Sequence, residues 1–555
     1  MGKTGVIERA RSASVAENVF KWWDYPLFIL LTVASYAVIL YFFWYWLSVE
    51  DWRYDPISFW LMLFLLMALL ANNQGRWFLL PLMKRPRPMA PRDGWKVAVT
   101  TTFVPGAESL EMLEDTLRAL VALDYPHDTW VLDEGDDTHV RALCLRLGAH
   151  HFSRKHMPRY QTETGIFQSQ WKHGNYNAWL WEIGFDRYDL ITVFDPDHVP
   201  VRSFLLQVLG YFNDPKIAYV QVAQAYYNQA ASFIARGAAE EVYAFYSSVQ
   251  MAGYGLGYPV VIGGHTTHRV AALKPVGGFP PHNADDVLIT LQYRAAGWHG
   301  VYVPHILARG LTPVDWNGYL IQQWRWARSI LDIKLRVYPK MFNHLSSSTR
   351  VMSFLHGLSY LQKSLIIVTG LLLVSLMLAT GSAPKVLSYP TLPALGLMYL
   401  VLQVCEFYRQ RFYLDWRQEW GVHWRVAALQ YAKWPYLLLA LVDVLSHRRV
   451  PFALTQKVKS SPYARLFWPH MMVVTLICAA WIIGMMSGRA INPLLHGCAA
   501  LIVAGSLALI LTEHLRFLDP YDRDLRAQWR MDDLGETGSD SNQLRSRTRA
   551  AKKTL

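Results

Sequence analysis

The chain has 555 residues, 52% of them hydrophobic and 17% charged, with a formal net charge of +12. The charged share lies far below the roughly 25% of ordinary soluble domains, which argues against a wholly soluble protein. With long apolar runs present, the basic excess fits lipid headgroups at a cytoplasmic face better than nucleic acid.

Apolar runs at 25–47 and 57–80 come first. Each exceeds the ~20 residues a bilayer requires. The first is too long for the apolar core of a cleavable signal. Lys3, Arg9, Arg11 and Lys21 precede the pair, and Lys84, Arg85, Arg87 and Arg92 follow it. The excess of cations places both flanks in the cytoplasm. From 95 to 340 the chain turns hydrophilic. Runs at 97–104, 129–132 and 190–194 read as buried strands, with helices at 110–122 and 139–147 between them. That alternation predicts an α/β domain with a mostly parallel sheet and helices on both faces. Ligands of such sheets bind at the carboxyl ends of the strands.

The segment 317–340 reads as an amphipathic helix in the membrane interface, with Ile321, Trp324, Leu331 and Leu335 on its apolar face. Further spans are expected at 361–379, 392–405, 468–485 and 493–511. The run 426–444 is apolar but contains Lys433, Pro435 and Asp443, and is assigned to the interface. Residues after 515 are polar and expected to be disordered. Cys144, Cys405, Cys478 and Cys498 form no C-x-x-C pair. They read as packing residues, with neither a disulfide framework nor a thiolate metal site.

The chemistry is concentrated in a few short motifs. Asp195-Pro196-Asp197 follows the strand at 190–194. Two hard oxygen ligands on a tight turn suit Mg²⁺ or Mn²⁺ at a diphosphate, although a solvated turn carries the same residues. His198 is either a further ligand or a turn residue. Asp285-Asp286 opens a helical run. Acids there compensate the helix dipole, and that suffices for Asp285. Asp286 is the candidate general base. Lys172-His173-Gly174-Asn175 precedes a helix and suits a phosphate or a tight turn. Asp133-Glu134-Gly135 ends a strand, where an acid can accept from a nucleoside. Gln322-Gln323-Trp324-Arg325-Trp326 joins a planar cation for a diphosphate to an aromatic face for a sugar, with interfacial anchoring as the plainer role for Trp324.

In this order the motifs resemble those of the processive family-2 inverting glycosyltransferases, over about residues 95–460. The nearest likeness is to the cellulose synthase branch. Phe452-Ala453-Leu454-Thr455-Gln456-Lys457 is similar to the gating loop of bacterial cellulose and curdlan synthases, which closes over UDP from the cytoplasmic side. A span at 426–444 would strand that loop outside.

The resemblance implies a multi-pass α-helical membrane protein with an inserted cytoplasmic α/β GT-A glycosyltransferase domain. Its expected parts are a cytoplasmic segment 1–24, two spans in 25–82 and the transferase domain 83–316. The interfacial helix 317–345, a channel region 346–514 with the gating loop at 451–458, and a cytoplasmic tail 515–555 follow. Asp133 or Glu134 would bind the nucleoside. Lys172, Arg325, Thr455 and Lys457 would contact UDP, with Phe452 anchoring the loop. Asp195 and Asp197 would hold Mg²⁺ or Mn²⁺. Asp286 would be the base, and Gln322 and Trp326 would line the acceptor.

The expected activity is a plasma (inner) membrane polysaccharide synthase. It would extend and export a β-glucan of cellulose, curdlan or mixed-linkage type from a UDP-sugar, with glucose as the expected hexose. The alternatives are a chitin- or hyaluronan-like synthase and a non-processive transferase acting on a lipid acceptor. Expected partners are the UDP-sugar, the nascent polysaccharide, membrane lipids and accessory export subunits, without nucleic acid. Four departures from the family pattern stand out. Glu134 replaces the usual Asp, and Ala284-Asp285-Asp286 replaces Thr-Glu-Asp. Ile262-Gly263-Gly264-His265 replaces a cysteine-containing loop. No PilZ-like domain follows, so direct cyclic-di-GMP control is not implied.

Overall fold

A computed structural model describes residues 16–49, 52–53, 55–448, 464–488 and 491–512. Phe452, Thr455 and Lys457, and the 515–555 tail, lie outside the described residues. Among those described, five helical stretches are long and apolar enough to cross a membrane: Trp22–Val49, Pro56–Leu82, Ser347–Thr380, Tyr389–Gln410 and Arg465–Met486. The sixth expected span corresponds to a shorter apolar helix, Pro493–Leu509.

Helices α1 (Tyr25–Val49) and α2 (Pro56–Trp77) form the first pair. Asp55 caps α2 by accepting from the Ser58 N–H at 3.1 Å, and Pro56 occupies the first turn, where its missing N–H costs nothing.

The hydrophilic block then runs β1 (Val97–Phe103), α3 (Leu110–Val121), β2 (Asp128–Asp133), α4 (Thr138–Leu147), β3 (His150–Phe152), α5 (Lys172–Trp179) and β4 (Leu190–Phe194). It continues through β5 (Val199–Pro200), β6 (Ile217–Tyr226), α6 (Phe233–Ala244), β7 (His265–Arg269), α7 (Asp285–Ala295) and β8 (His299–Gly310). These strands form one eight-stranded sheet in the order β3-β2-β1-β4-β7-β6-β8-β5.

Strands β1, β2, β3 and β4 are mutually parallel, as expected. The sheet as a whole is mixed, because β7 runs antiparallel to both β4 and β6. Both faces of the central strands are buried. Leu190 and Phe194 enter one core with Val97 and Val99, while Ile191 and Val193 enter the other with Ala98 and Trp179. Burial on both sides is why these strands read as continuous apolar runs.

After the sheet come α8 (Trp316–Asp332), α9 (Leu358–Thr380), α10 (Leu392–Gln410) and α11 (Trp424–Leu445). The contacts of α8 correct the expected apolar face. Trp316, Leu320, Ala327 and Leu331 are buried, whereas Leu335 is 49% exposed. Ala327 and Leu331 pack with Leu437, Ala440 and Val444 of α11. Trp324 donates its indole N–H to Asp443 of α11 at 3.0 Å. Protein rather than headgroup covers this side of α8.

Candidate active site

The parallel register sets Phe103 of β1 beside Asp133 of β2, and Thr101 of β1 beside Phe194 of β4. Three strand ends therefore open at one edge, above a cavity of about 2060 Å³. Among the expected site residues, Glu134, Lys172, Asp195, Asp286, Gln322 and Arg325 line it. So does Trp326.

The turn after β4 is built to hold its acids. Thr116 of α3 donates its hydroxyl to the Pro196 carbonyl at 2.8 Å. Asp195 projects into the cavity and accepts from the Lys172 ammonium at 2.5 Å. Burial opposes the charge on Lys172, but Asp195 beside it outweighs that cost, and the ammonium's pKa is raised. Asp197 is fully buried and accepts from the Leu311 N–H at 2.8 Å. Its other oxygen lies 3.2 Å from His198 Nδ1, and His198 Nε2 is 3.3 Å from the Gln224 amide nitrogen.

Asp195, Asp197 and His198 each offer a ligand atom, and these atoms lie within 4.8 Å of one another. Two carboxylates and an imidazole suit a divalent cation that accepts oxygen and nitrogen ligands. The backbone leaves room for it. A Cβ at Gly264 would fall 2.1 Å from Asp195 Cγ, so any other residue would displace that carboxylate. The residues fit the ion that the motif implies.

The second acidic pair sits at the start of α7. Asp286 accepts from the Gly263 N–H at 3.1 Å and from the Val287 N–H at 2.7 Å. Gly263 has φ +82°, a conformation that strains residues with a Cβ, and this turn aims its N–H at the carboxylate. Burial, and then the neighbouring Asp286, push the Asp285 carboxyl up to about 7. Burial likewise raises Asp286, against the two backbone hydrogen bonds it accepts. Arg325 is half-buried and within electrostatic reach of Asp195, Asp286 and Asp285, in that order of strength. A carboxylate whose pKa is raised by burial is a stronger base than a free aspartate, which suits it to taking a proton from a hydroxyl.

The two nucleoside candidates separate. Asp133 is fully buried and accepts from the N–H groups of Gly135 at 2.9 Å and Asp137 at 2.6 Å, and lies 3.1 Å from His151 Nε2. It supports the turn from below. Glu134 lines the cavity and is gripped by Arg154, whose Nε and Nη2 donate at 3.0 and 2.7 Å. Arg154 was not singled out from the sequence, yet it is 0% exposed and also donates to the carbonyls of Tyr160, Phe167 and Gln168, each at 3.0 Å. It ties the loop preceding α5 to the strand end. A lone arginine outside any motif gives no sequence signal for that role. Gly263 and Gly264 stand out in the sequence only as part of the departure at 262–265, and their functions appear once Asp286 and Asp195 are placed beside them.

A strand-edge cavity with an acidic turn, a second acidic pair and an arginine facing both defines a nucleotide-sugar transferase site. Residues 98–329 match the family model described as glycosyltransferase like family 2. The chain thus carries a family-2 glycosyltransferase domain of GT-A fold, with its mixed sheet, flanked by long apolar helices.

It is 28% identical over 279 residues to cellulose synthase 2 of Novacetimonas hansenii, covering 48% of this chain and 16% of that protein. It is 26% identical over 281 residues to the UDP-forming cellulose synthase catalytic subunit of Xanthomonas axonopodis pv. citri (strain 306), covering 49% and 36%. The matched region thus spans about a sixth to a third of these relatives' lengths. Among solved structures, the mannosyltransferase PcManGT from Pyrobaculum calidifontis, in complex with GDP-Man and Mn²⁺, is similar with 16% identity and a TM-score of 0.48. That match covers 71% of this chain and 99% of the mannosyltransferase.

Proposed function

We propose that this protein is a membrane-embedded, processive polysaccharide synthase. It transfers hexose, with glucose preferred, from a UDP-sugar to a growing β-glucan and passes the product across the plasma (inner) membrane. One observation carries this reading. The cavity that holds Asp195 and Asp286 is also lined by Asn72 and Gly75 of α2 and by Gln362 and Lys363 of α9. The transfer site therefore opens towards apolar helices. The UDP-forming relative supports UDP as the leaving group.

In this mechanism Asp286 takes the proton of the acceptor hydroxyl. The freed oxygen attacks the anomeric carbon on the face opposite the diphosphate, and UDP departs with inversion. Gly263 and Val287 fix the base in one orientation. Arg325 and Lys172 meet the charge that grows on the diphosphate, and being already oriented they need no reorganisation as it forms. A divalent cation held by Asp195, Asp197 and His198 would neutralise the same diphosphate. Glu134 takes the nucleoside with Asp133 behind it, while Gln322 and Trp326 position the acceptor. The family resemblance further implies roles at UDP for Phe452, Thr455 and Lys457, which lie outside the described residues. The catalytic domain faces the cytoplasm.

The test is incubation of the purified full chain with a panel of radiolabelled UDP-sugars, followed by product sizing and linkage-specific glucanase digestion. Polymer from UDP-glucose that β-glucanases degrade is expected. Single-sugar addition to lipid, or polymer from UDP-N-acetylglucosamine alone, would overturn the reading. Removal of divalent cations by chelator should stop synthesis, and undiminished synthesis would remove the metal from the mechanism.

A further inference from the structure

The acidic pair is reached through Pro280-Pro281-His282-Asn283. His282 lines the cavity, yet both of its ring nitrogens are engaged within the protein. Its Nδ1 accepts from the Ala284 N–H at 3.0 Å. A backbone N–H can only donate, so Nδ1 carries no proton. The ring proton sits on Nε2, which donates to Asp332 of α8 at 3.1 Å. The other oxygen of Asp332 accepts from Arg336 at 2.8 Å, and Arg336 also donates to the Val444 carbonyl of α11. Burial opposes the charge on Asp332, but the His282 hydrogen bond, with Arg336 beside it, holds the carboxyl below its ordinary range.

The two ends of this link stand at the reacting groups. Ala284 is the N-cap of α7 and has no side-chain oxygen, so the helix start lacks the usual cap. His282 braces it from outside by taking the N–H of the N-cap residue, as the acid of a capping box does. Asp286 is the second residue of that helix. At the other end, Asp332 lies about two turns beyond Arg325 on the same face of α8. One imidazole thus joins the helix start that carries the base to the helix that carries the leaving-group cation. Pro280 and Pro281 restrict the backbone that delivers the ring. Asp286 serves the acceptor hydroxyl and Arg325 the diphosphate, on opposite sides of the anomeric carbon, so their separation must suit both.

We propose that His282 is a positioning residue of sugar transfer. Through Ala284 and Asp332 it sets where Asp286 stands relative to Arg325. This rests on the synthase function proposed above, with Asp286 as its base.

The test measures UDP release by the detergent-solubilised full chain over a range of UDP-glucose concentrations, with UDP affinity followed by calorimetry. His282→Ala should lower kcat about 10–100-fold, as expected when a reacting group is misplaced by up to ~1 Å. KM and UDP affinity should stay within about twofold of wild type, because the link acts on the chemical step. His282→Asn should recover part of the loss, since an asparagine oxygen can accept the N–H two residues on but cannot reach Asp332. Asp332→Asn leaves the contact between His282 and Ala284 in place, and should lower kcat by a smaller factor at unchanged KM. General loosening of the site would weaken UDP affinity and raise KM as kcat falls, and that result overturns the proposal. So does a kcat in His282→Ala equal to wild type, or an asparagine variant no better than the alanine. If His282→Ala does not fold, His282→Asn and Asp332→Asn decide by the same split between kcat and KM. Wild type that uses another UDP-sugar in place of UDP-glucose corrects the donor alone, and the variants are then compared on that sugar. Wild type inert towards every UDP-sugar overturns the synthase function and this role together, whereas normal turnover with unmoved variants removes only the role of His282.

Discussion

Lys433 on α11 donates its ammonium to the side-chain carbonyl of Gln323 on α8 at 2.8 Å. The same ammonium pairs with Glu241 of α6, and the two side chains are only 3% and 12% exposed. Glu241 also accepts from the Tyr319 hydroxyl of α8 at 2.7 Å. One ion pair thus pins the Gln-Gln-Trp-Arg-Trp helix between the transferase domain and α11. Lys433→Met leaves a buried carboxylate without its cation, and breaking such a pair costs roughly 3–5 kcal/mol. The expected result is a marked fall in the melting temperature of the detergent-solubilised protein. Stability should largely return in the Lys433→Met/Glu241→Leu double variant. An unchanged melting temperature in the single variant would show that the pair does not hold these helices together.

Asp286→Asn should abolish sugar transfer while UDP binding stays near normal. Loss of a general base costs about 10²–10⁴-fold in rate. The amide has one accepting oxygen where the carboxylate uses two, so it keeps only one of the Gly263 and Val287 hydrogen bonds. Turnover close to wild type, measured by UDP release, would move the base to another residue, with Asp285 the first to examine.

The acid pair also sets a pH dependence. In the proposed mechanism Asp286 works as a carboxylate, and burial raises both acids of the pair, Asp285 up to about 7. The acid limb of kcat/KM should therefore lie well above the ~3.9 of a free aspartate. Stability runs the opposite way. A carboxyl whose pKa is raised in the folded state binds its proton more tightly there, so its stabilising contribution is complete below the unfolded pKa and is lost as pH rises through about 7. Cation-free protein should melt lower at pH 8 than at pH 5, and Asp285→Asn should flatten that difference. A melting curve rising across the same interval would contradict the sign.

Arg154 offers a test away from the reacting atoms. Its guanidinium is fully buried and is shared between Glu134 and the carbonyls of Tyr160, Phe167 and Gln168. Arg154→Met should destabilise the domain by roughly 3–5 kcal/mol, because Glu134 and several carbonyls lose their donor together. Arg154→Lys should recover only part of this, since a lysine lacks the planar fork. UDP affinity, followed by calorimetry, should fall in both variants. Affinity equal to wild type in Arg154→Lys would separate the loop from nucleoside binding.

The sequence by itself determined the strands that carry the site and the membrane helices around it. Runs such as Leu190–Phe194 are apolar throughout because both faces of the strand are buried, and a residue at the strand's end, such as Asp195, must then emerge at the sheet edge. The order of the acidic turn, the acidic pair and the Gln-Gln-Trp-Arg-Trp segment pointed to the transferase class before any geometry was known.

Other features had no local signature. The strand His265–Arg269 is polar in sequence, yet its first four residues are buried, because polar groups such as the Thr267 hydroxyl find partners across the sheet, here Thr192 at 2.9 Å. This antiparallel strand makes the sheet mixed. At Asp133-Glu134, adjacent residues at a strand end point to opposite sides, and only the register decides which acid meets the cavity. Asp197 is turned inward by the N–H of Leu311, 114 residues away. Lys433 finds Gln323 across 110 residues, in a run that the sequence left ambiguous between span and interface. Such pairings depend on how the chain closes on itself. Periodicity records which face of an element is buried, but it carries no information about the partner brought to that face.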